Sequence, residues 1–186
     1  TGGSEQGAQL ALSHTASLAG RDDLIDAFLQ RLNIARVQSL ATLLETLKLL
    51  HSGGALSGNS ISSMSCSGGE AALIADAAQS YDLKFMPLNQ DTTNALKNIL
   101  SERVHISNPL DYHTFIWADA ARLQATYQIM LQAGADLNLL LLDLPRSDYC
   151  KLDDWQIALQ AFCAAQRVTG ARAAVLACLT ENLAES

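Results

Sequence analysis

Between Leu137 and Leu144 the chain reads Leu137-Asn138-Leu139-Leu140-Leu141-Leu142-Asp143-Leu144. A run this short is strand-sized, and apolar side chains at successive positions require cover on both faces. That excludes a sheet with one face in water and points to a central parallel strand in a layered α/β domain. The flanks agree. A helical pattern runs from about Trp117 to Ala133 and stops at Gly134, a good helix-ending residue. Another starts at Asp153 or Asp154 and ends near Gly170, and Ala173 to Leu179 reads as the last strand.

The same alternation extends towards the N-terminus. Residues 60–66 form a β-like run and 69–81 a helical one. Leu83 to Leu88 is a second strand ended by Pro87. Asp91 is placed to cap a helix with Leu96, Ile99 and Leu100 inward, and Val104-His105-Ile106 reads as a short strand. Strand and helix in turn predict an open parallel sheet with helices on both faces over 59–186. The Gly- and Ser-rich segment Ser52 to Asn59 separates it from residues 1–52.

In residues 1–52, the stretch from Ala8 to Gly20 has no convincing period and reads as a loop. A helix begins at Asp22 as N-cap, and Leu24, Ile25, Phe28, Leu29 and Leu32 predict one buried stripe. Ala35-Arg36-Val37 looks strand-like. Ser39 can cap a helix whose apolar side is Leu40, Leu43, Leu44, Leu47, Leu49 and Leu50. With no initiator Met and a strand close to the last residue, the chain is expected to be an internal piece of a longer polypeptide.

Composition narrows the partners. The net charge is −7 and no Lys/Arg cluster offsets it, which argues against a nucleic-acid surface. No run of ~18 apolar residues predicts a membrane span. Cys66, Cys150, Cys163 and Cys178 lie far apart, without CxxC or Cys/His spacing, so no metal site is expected. They read as reduced thiols of a cytoplasmic protein. Cys163 and Cys178 sit in apolar runs, and Cys66 lies at a glycine turn.

Open α/β sheets gather ligands at the carboxyl ends of their strands. Four loops qualify: Cys66 to Glu70, Ser107 to His113, Pro145 to Cys150, and Thr180 to Asn182. In the first, Ser67-Gly68-Gly69-Glu70 joins strand to helix. Glycines permit close approach of backbone, and the first helical N–H groups lack partners, so this turn suits an anion as well as a structural turn. In the second, Asn108, Asp111 and His113 offer donors, an acceptor and a titrating imidazole. A hydrolase built from Ser67, His113 and Asp111 lacks the G-x-S-x-G elbow and spaces Asp and His too closely. His14 sits among small residues, off any apolar face. It is either an exposed histidine without a task or a nucleophile able to take a phosphoryl group.

Ser13-His14-Thr15-Ala16-Ser17-Leu18-Ala19-Gly20, followed by an Asp-rich helix start and Ile34-Ala35-Arg36-Val37-Gln38-Ser39-Leu40, resembles the phosphohistidine segment of NDP-forming acyl-CoA synthetases. These are the ADP-forming acetate–CoA ligase relatives of succinyl-CoA synthetase. Cys66-Ser67-Gly68-Gly69-Glu70-Ala71-Ala72 and Ser107-Asn108-Pro109-Leu110-Asp111 resemble the glycine turn and Asn-Pro-(Leu/Val)-Asp loop of the next flavodoxin-like domain. The resemblance covers nearly the whole chain in the same order. It implies that residues 1–52 are the tail of one flavodoxin-like domain and 59–186 most of a second. It also implies acyl-CoA formation from a carboxylic acid, CoA and ATP or another NTP with Mg, with His14 carrying the phosphoryl group and Ser67, Gly68, Gly69 and Glu70 receiving it.

ATP-grasp and CoA-binding domains would be partners within the same enzyme, this piece alone would be inactive, and a homo-oligomer stays open. Two positions depart from the family: Ala16 where Gly is commoner after His-Thr, and Glu70 where many relatives have Gly-Pro. They favour the alternative, a non-catalytic regulatory or scaffolding module of the same fold.

Overall fold

The computed structural model describes residues 3–15, 20–146 and 148–177, with backbone alone for His14 and Thr15. The chain divides into two compact units, Thr1–Ser52 and Gly53–Ser186.

The first unit consists of helices α1 (Glu5–Thr15), α2 (Asp22–Arg31) and α3, which runs to the unit boundary (Leu40–Gly53). The expected loop from Ala8 is helical as far as Thr15. Ser4 starts it, its Oγ accepting from the Gly7 amide at 3.1 Å, and Gln, Ala and Leu then propagate the turn readily. Residues 16–19 lie outside the described set. Helix α2 starts after Arg21 without a side-chain cap, because Asp22 is engaged elsewhere: Arg36 Nη2 donates to Asp22 Oδ1 at 2.5 Å. The same guanidinium lies 3.4 Å from Asp26, so the segment around Arg36 is strapped to α2 and is not the strand its composition suggested.

The stripes on α2 and α3 are a further correction. Neither helix holds a buried residue, and Leu24 and Phe28 are 61% and 60% exposed. Periodicity gives each helix an apolar side, but among the described residues this unit has no strand for that side to cover.

The second unit is built from β1 (Ser60–Ser65), α4 (Gly68–Ala78), β2 (Lys84–Phe85), α5 (Gln90–Ile99), β3 (Leu110–Asp111), α6 (Ala120–Leu131), β4 (Leu137–Leu141), α7 (Asp153–Thr169) and β5 (Ala173–Leu176). Its parallel sheet runs β2-β1-β4-β5, with helices on both faces. Strand β4 is buried at every position, as its apolar run requires. Its one polar side chain, Asn138, is fully buried and paired. Ser62 Oγ donates to Asn138 Oδ1 at 2.5 Å, and Asn138 Nδ2 donates to the Arg172 carbonyl at 3.0 Å. Gly170 closes α7 with φ +65°, a left-handed turn that glycine adopts freely.

Strand β3 lies where a loop was expected, and Val104 to Ile106 forms no strand. One edge of β1 is shared: β2 pairs with Ser60 and Ile61, and β3 with Met64 and Ser65. The gap is filled by a side chain. Asn108 Oδ1 accepts from the Ser63 amide at 3.0 Å, while Nδ2 donates to the carbonyls of Ile61 at 3.0 Å and Met86 at 2.9 Å. Asn108 thus supplies the ladder that a longer strand would have made. Helix α5 is capped by Asn89, accepting from Thr92 at 2.8 Å, and not by Asp91, which falls in its first turn.

Below the sheet's carboxyl edge, α6 and α7 enclose a core of Leu123, Tyr127, Met130 and Phe162 against Met64 and Leu140. Tyr127 makes edge contacts with the rings of Tyr112 and Phe162, at 5.6 Å from each, and its hydroxyl donates to that of Tyr112 at 2.9 Å. At the opposite edge Asp136 gathers Ser57 Oγ (2.8 Å), the Ser60 amide (3.0 Å) and Ser60 Oγ (2.5 Å), bonds that hold its carboxyl below the usual range. A Cβ on Gly58 would come within 2.5 Å of that carboxylate, so the turn requires glycine.

Candidate functional site

From β1 the chain crosses by α4 to β2 on one side, whereas β4 lies on the other side of β1. The carboxyl ends of β1 and β4 therefore flank the topological switch point, where open α/β sheets leave a crevice. Cys66, Ser67 and the first turn of α4 stand on one side, Asp143 on the other, and the end of β3 brings Asp111 and His113 alongside.

Ser67 has extended backbone and caps α4, its Oγ accepting from the Glu70 amide at 3.4 Å. Gly68 and Gly69 are exposed as the first two residues of the helix, with N–H groups at its positive end. The expected anion turn is thus geometrically a helix N-terminus. Asp111 is already beside it: a Cβ on Gly68 would lie 3.1 Å from Asp111 Oδ2. The other oxygen of Asp111 accepts from the His113 amide at 2.9 Å, and Oδ2 is 3.6 Å from His113 Nε2. The imidazole stacks on Phe115 at 5.4 Å, with the backbone of His113 at φ +57°.

The structure sorts the expected residues. Ser67, Gly68, Gly69, Glu70, Asp111 and His113 share the crevice. Asn108 does not serve it, because its amide is spent on the sheet. Ser67 caps α4 and does not pair with His113, which leaves the hydrolase arrangement without its central hydrogen bond. Pro145 to Cys150 is closed on itself, with Arg146 paired to Asp148 at 2.6 Å and lying over the Tyr149 ring at 4.8 Å. Ser147 and the loop Thr180 to Asn182 lie outside the described residues. His14 belongs to the first unit, its backbone in the last turn of α1.

Electrostatics set this helix end apart. Burial, then the nearby carboxylates of Asp143 and Asp111, push the Glu70 carboxyl above its ordinary range. Glu70 Oε2 and Asp143 Oδ1 are both shielded from solvent and have no hydrogen-bond partner among the described residues. Burial, with Glu70 next, also raises the Cys66 thiol to about 11, which removes it as a ready nucleophile. Among the described residues no three carboxylate, His or Cys side chains converge to hold a metal ion.

Two tryptophans were missed by sequence reasoning. Trp155 Nε1 donates to the Asp143 carbonyl at 2.8 Å, and its ring meets Trp117 edge-on at 5.5 Å. With Leu73, Ile74 and Leu142 they line an open, mainly apolar cleft of about 790 Å³ that ends at Ser67 and Glu70. Asp143 was visible as the break that ends the apolar run. Trp117 lies in the connection before α6 and Trp155 in the first turn of α7, and no spacing links them to it.

Known proteins resemble this chain in both units. Residues 1–50 match the succinyl-CoA ligase like flavodoxin domain. Over 111 residues, 60% of its length, the chain is 35% identical to an acetate–CoA ligase [ADP-forming] of Methanocaldococcus jannaschii. Over the same length it is 30% identical to the acetate–CoA ligase [ADP-forming] II of Archaeoglobus fulgidus. It spans 16% of each relative. Among solved structures, the dinucleotide forming acetyl-coenzyme A synthetase 1 of Ca. Korarchaeum cryptofilum in complex with phosphate and ADP superposes with a TM-score of 0.75 at 16% identity, covering 94% of this chain and 36% of that one. Its apo form gives 0.77 at the same identity and coverage. At that identity the likeness speaks for the fold.

Proposed function

We propose that this chain, which is similar to ADP-forming acetate–CoA ligases, is the part of an acyl-CoA synthetase that carries a phosphoryl group on His14 and receives it at the start of α4. The observation that carries the reading is the placement of Ser67, Gly68 and Gly69 as cap and first turn of an 11-residue helix at the switch point of the sheet. Partnerless N–H groups and the helix dipole favour an anion there. The similarity over residues 1–50 supports assigning the preceding segment, with His14, to the phosphohistidine side of the same chemistry.

In the first half-reaction a ring nitrogen of His14 attacks the terminal phosphorus of the nucleoside triphosphate. An N–P bond forms, a P–O bond breaks, and the diphosphate leaves. The phosphoryl group then passes to the carboxylic acid, and CoA displaces it to give acyl-CoA. Nucleotide, Mg and CoA are bound mainly by ATP-grasp and CoA-binding domains of the same enzyme, so this chain alone does not turn over. Near the receiving end, Glu70 accepts a proton more readily than an ordinary carboxylate, chiefly because it is buried. That proton offsets part of the acidity that an incoming phosphoryl group meets.

The test is acid-labile labelling of the complete enzyme from γ-labelled nucleotide. Label on His14, and loss of both label and acyl-CoA formation in His14→Ala, is expected; undiminished acyl-CoA formation in the variant rejects the reading. A second reading is favoured by the three carboxylates at the helix end: a regulatory or scaffolding module that keeps the fold and binds without phosphoryl transfer. Retained anion or nucleotide binding with no label on His14 would establish it.

A further inference from the structure

The geometry points to an aromatic or similarly bulky apolar carboxylic acid as the ligand of the cleft beside α4, its ring against Trp117, Leu73 and Ile74 and its carboxylate at Gly68 and Gly69. This rests on the reading that the phosphoryl group is delivered to the same helix end, where the acid's carboxylate would have to meet it.

Four observations carry it. At about 790 Å³ and open on one side, the cleft far exceeds what a two-carbon acid fills and falls within the range of drug-sized ligand sites. Its walls are apolar along α4 and the end of β4, with Ser67, Glu70 and Asp143 among its few polar groups, a lining that suits a ligand with an apolar body and one charged head. Trp117 and Trp155 stand edge-to-face, so the pair presents ring surface at fixed orientation, suited to another ring. Finally, Glu70 Oε2 is shielded from solvent and has no hydrogen-bond partner among the described residues. Burial favours the protonated form of Glu70, which can donate one hydrogen bond to a carboxylate, and the amide at Gly69, which also lines the cleft, can supply another. A neutral ligand would leave that end unsatisfied, and a small acid would leave the apolar walls wet.

Trp117 and Trp155 are the only tryptophans of the chain, so its intrinsic fluorescence reports the cleft alone. The 186-residue chain is titrated with 3-phenylpropanoate, acetate and 3-phenylpropan-1-ol. Saturable quenching by 3-phenylpropanoate, at a midpoint at least tenfold below those of acetate and the alcohol, is expected. Leu73→Gln, at a side chain 69% exposed and therefore tolerated by the fold, removes apolar surface without adding charge and is expected to weaken the phenyl acid at least fivefold and acetate by much less. Equal midpoints for the three compounds, or no saturation, overturn the proposal; acid and alcohol bound alike would mark the cleft as apolar surface for another polypeptide segment. His14 labelling separates the two claims. Label without selectivity in the cleft rejects the ligand class alone, and selectivity without label rejects the phosphohistidine reading alone.

Discussion

The side-chain oxygen of Asn108 accepts the hydrogen bond of the Ser63 amide at 3.0 Å, in the middle of a strand edge that no backbone reaches. One amide thereby replaces a missing stretch of ladder and ties β1 to Met86 as well as to the loop before β3. Asn108→Ala removes three hydrogen bonds and leaves the Ser63 N–H and Met86 carbonyl short of a partner. The expected cost is ~2–4 kcal/mol in urea unfolding. Asn108→Asp keeps the acceptor but turns a carboxylate towards two carbonyls, and is expected to destabilise at least as much at neutral pH.

Glu70 gives a pH signature. Its carboxyl is raised in the folded chain, so between its unfolded value and its folded value the native state binds more protons than the unfolded one. Stability therefore falls as pH rises through that window. The positive end of α4 opposes the shift, but burial and the two neighbouring carboxylates outweigh it. Glu70→Gln should melt above the parent at pH 8 and converge with it near pH 4, as read by scanning fluorimetry. Coincident melting curves at both pH values would remove Glu70 from the account of the acidic cluster.

The two buried tyrosines are expected to behave as a unit. Tyr127→Phe leaves the Tyr112 hydroxyl, inside the core, without its donor, at a cost of ~1–2 kcal/mol. Replacing both hydroxyls removes the orphan as well as the bond, so the double variant should cost less than the sum of the singles. A double-mutant cycle by denaturant unfolding measures that coupling.

Thiol chemistry separates the acyl-transfer and hydrolase alternatives. With Cys66 raised to about 11, only about one molecule in a thousand carries its thiolate at pH 8. Exposed Cys150 should be alkylated first by iodoacetamide, with Cys66 lagging by at least tenfold in peptide mass mapping. Rapid labelling of Cys66 or Ser67 by an acylating probe would revive the hydrolase.

What the sequence disclosed followed its strongest periodic signals. The run from Leu137 became a fully buried strand because covering both faces of a strand leaves no alternative to a layered fold, and Gly170 ended α7 because no other residue enters a left-handed turn so cheaply. Signals that depend on a distant partner were misread. Val104 to Ile106 had the better strand composition, but Leu110 and Asp111 took the edge of β1 because Asn108 set the register through bonds to residues 22 to 47 positions away. The stripe of Leu24 and Phe28 disclosed amphipathicity and not burial, since a pattern specifies a face and not what covers it. At the site, the glycine turn was legible as a helix start. The tryptophan cleft was not, because it is assembled from the ends of elements far apart in the chain.

The bridge made by Asn108 also fixes how the crevice can respond to a ligand. Asp111 and His113 follow Asn108 by three and five residues, and that side chain is riveted to the sheet at three points. Displacing this rim by an ångström would tear hydrogen bonds from β1 and from Met86, the residue that follows β2, together. The rim beside α4 therefore behaves as an anvil, with a shape set at folding, and any adjustment to a ligand falls to the groups brought to it.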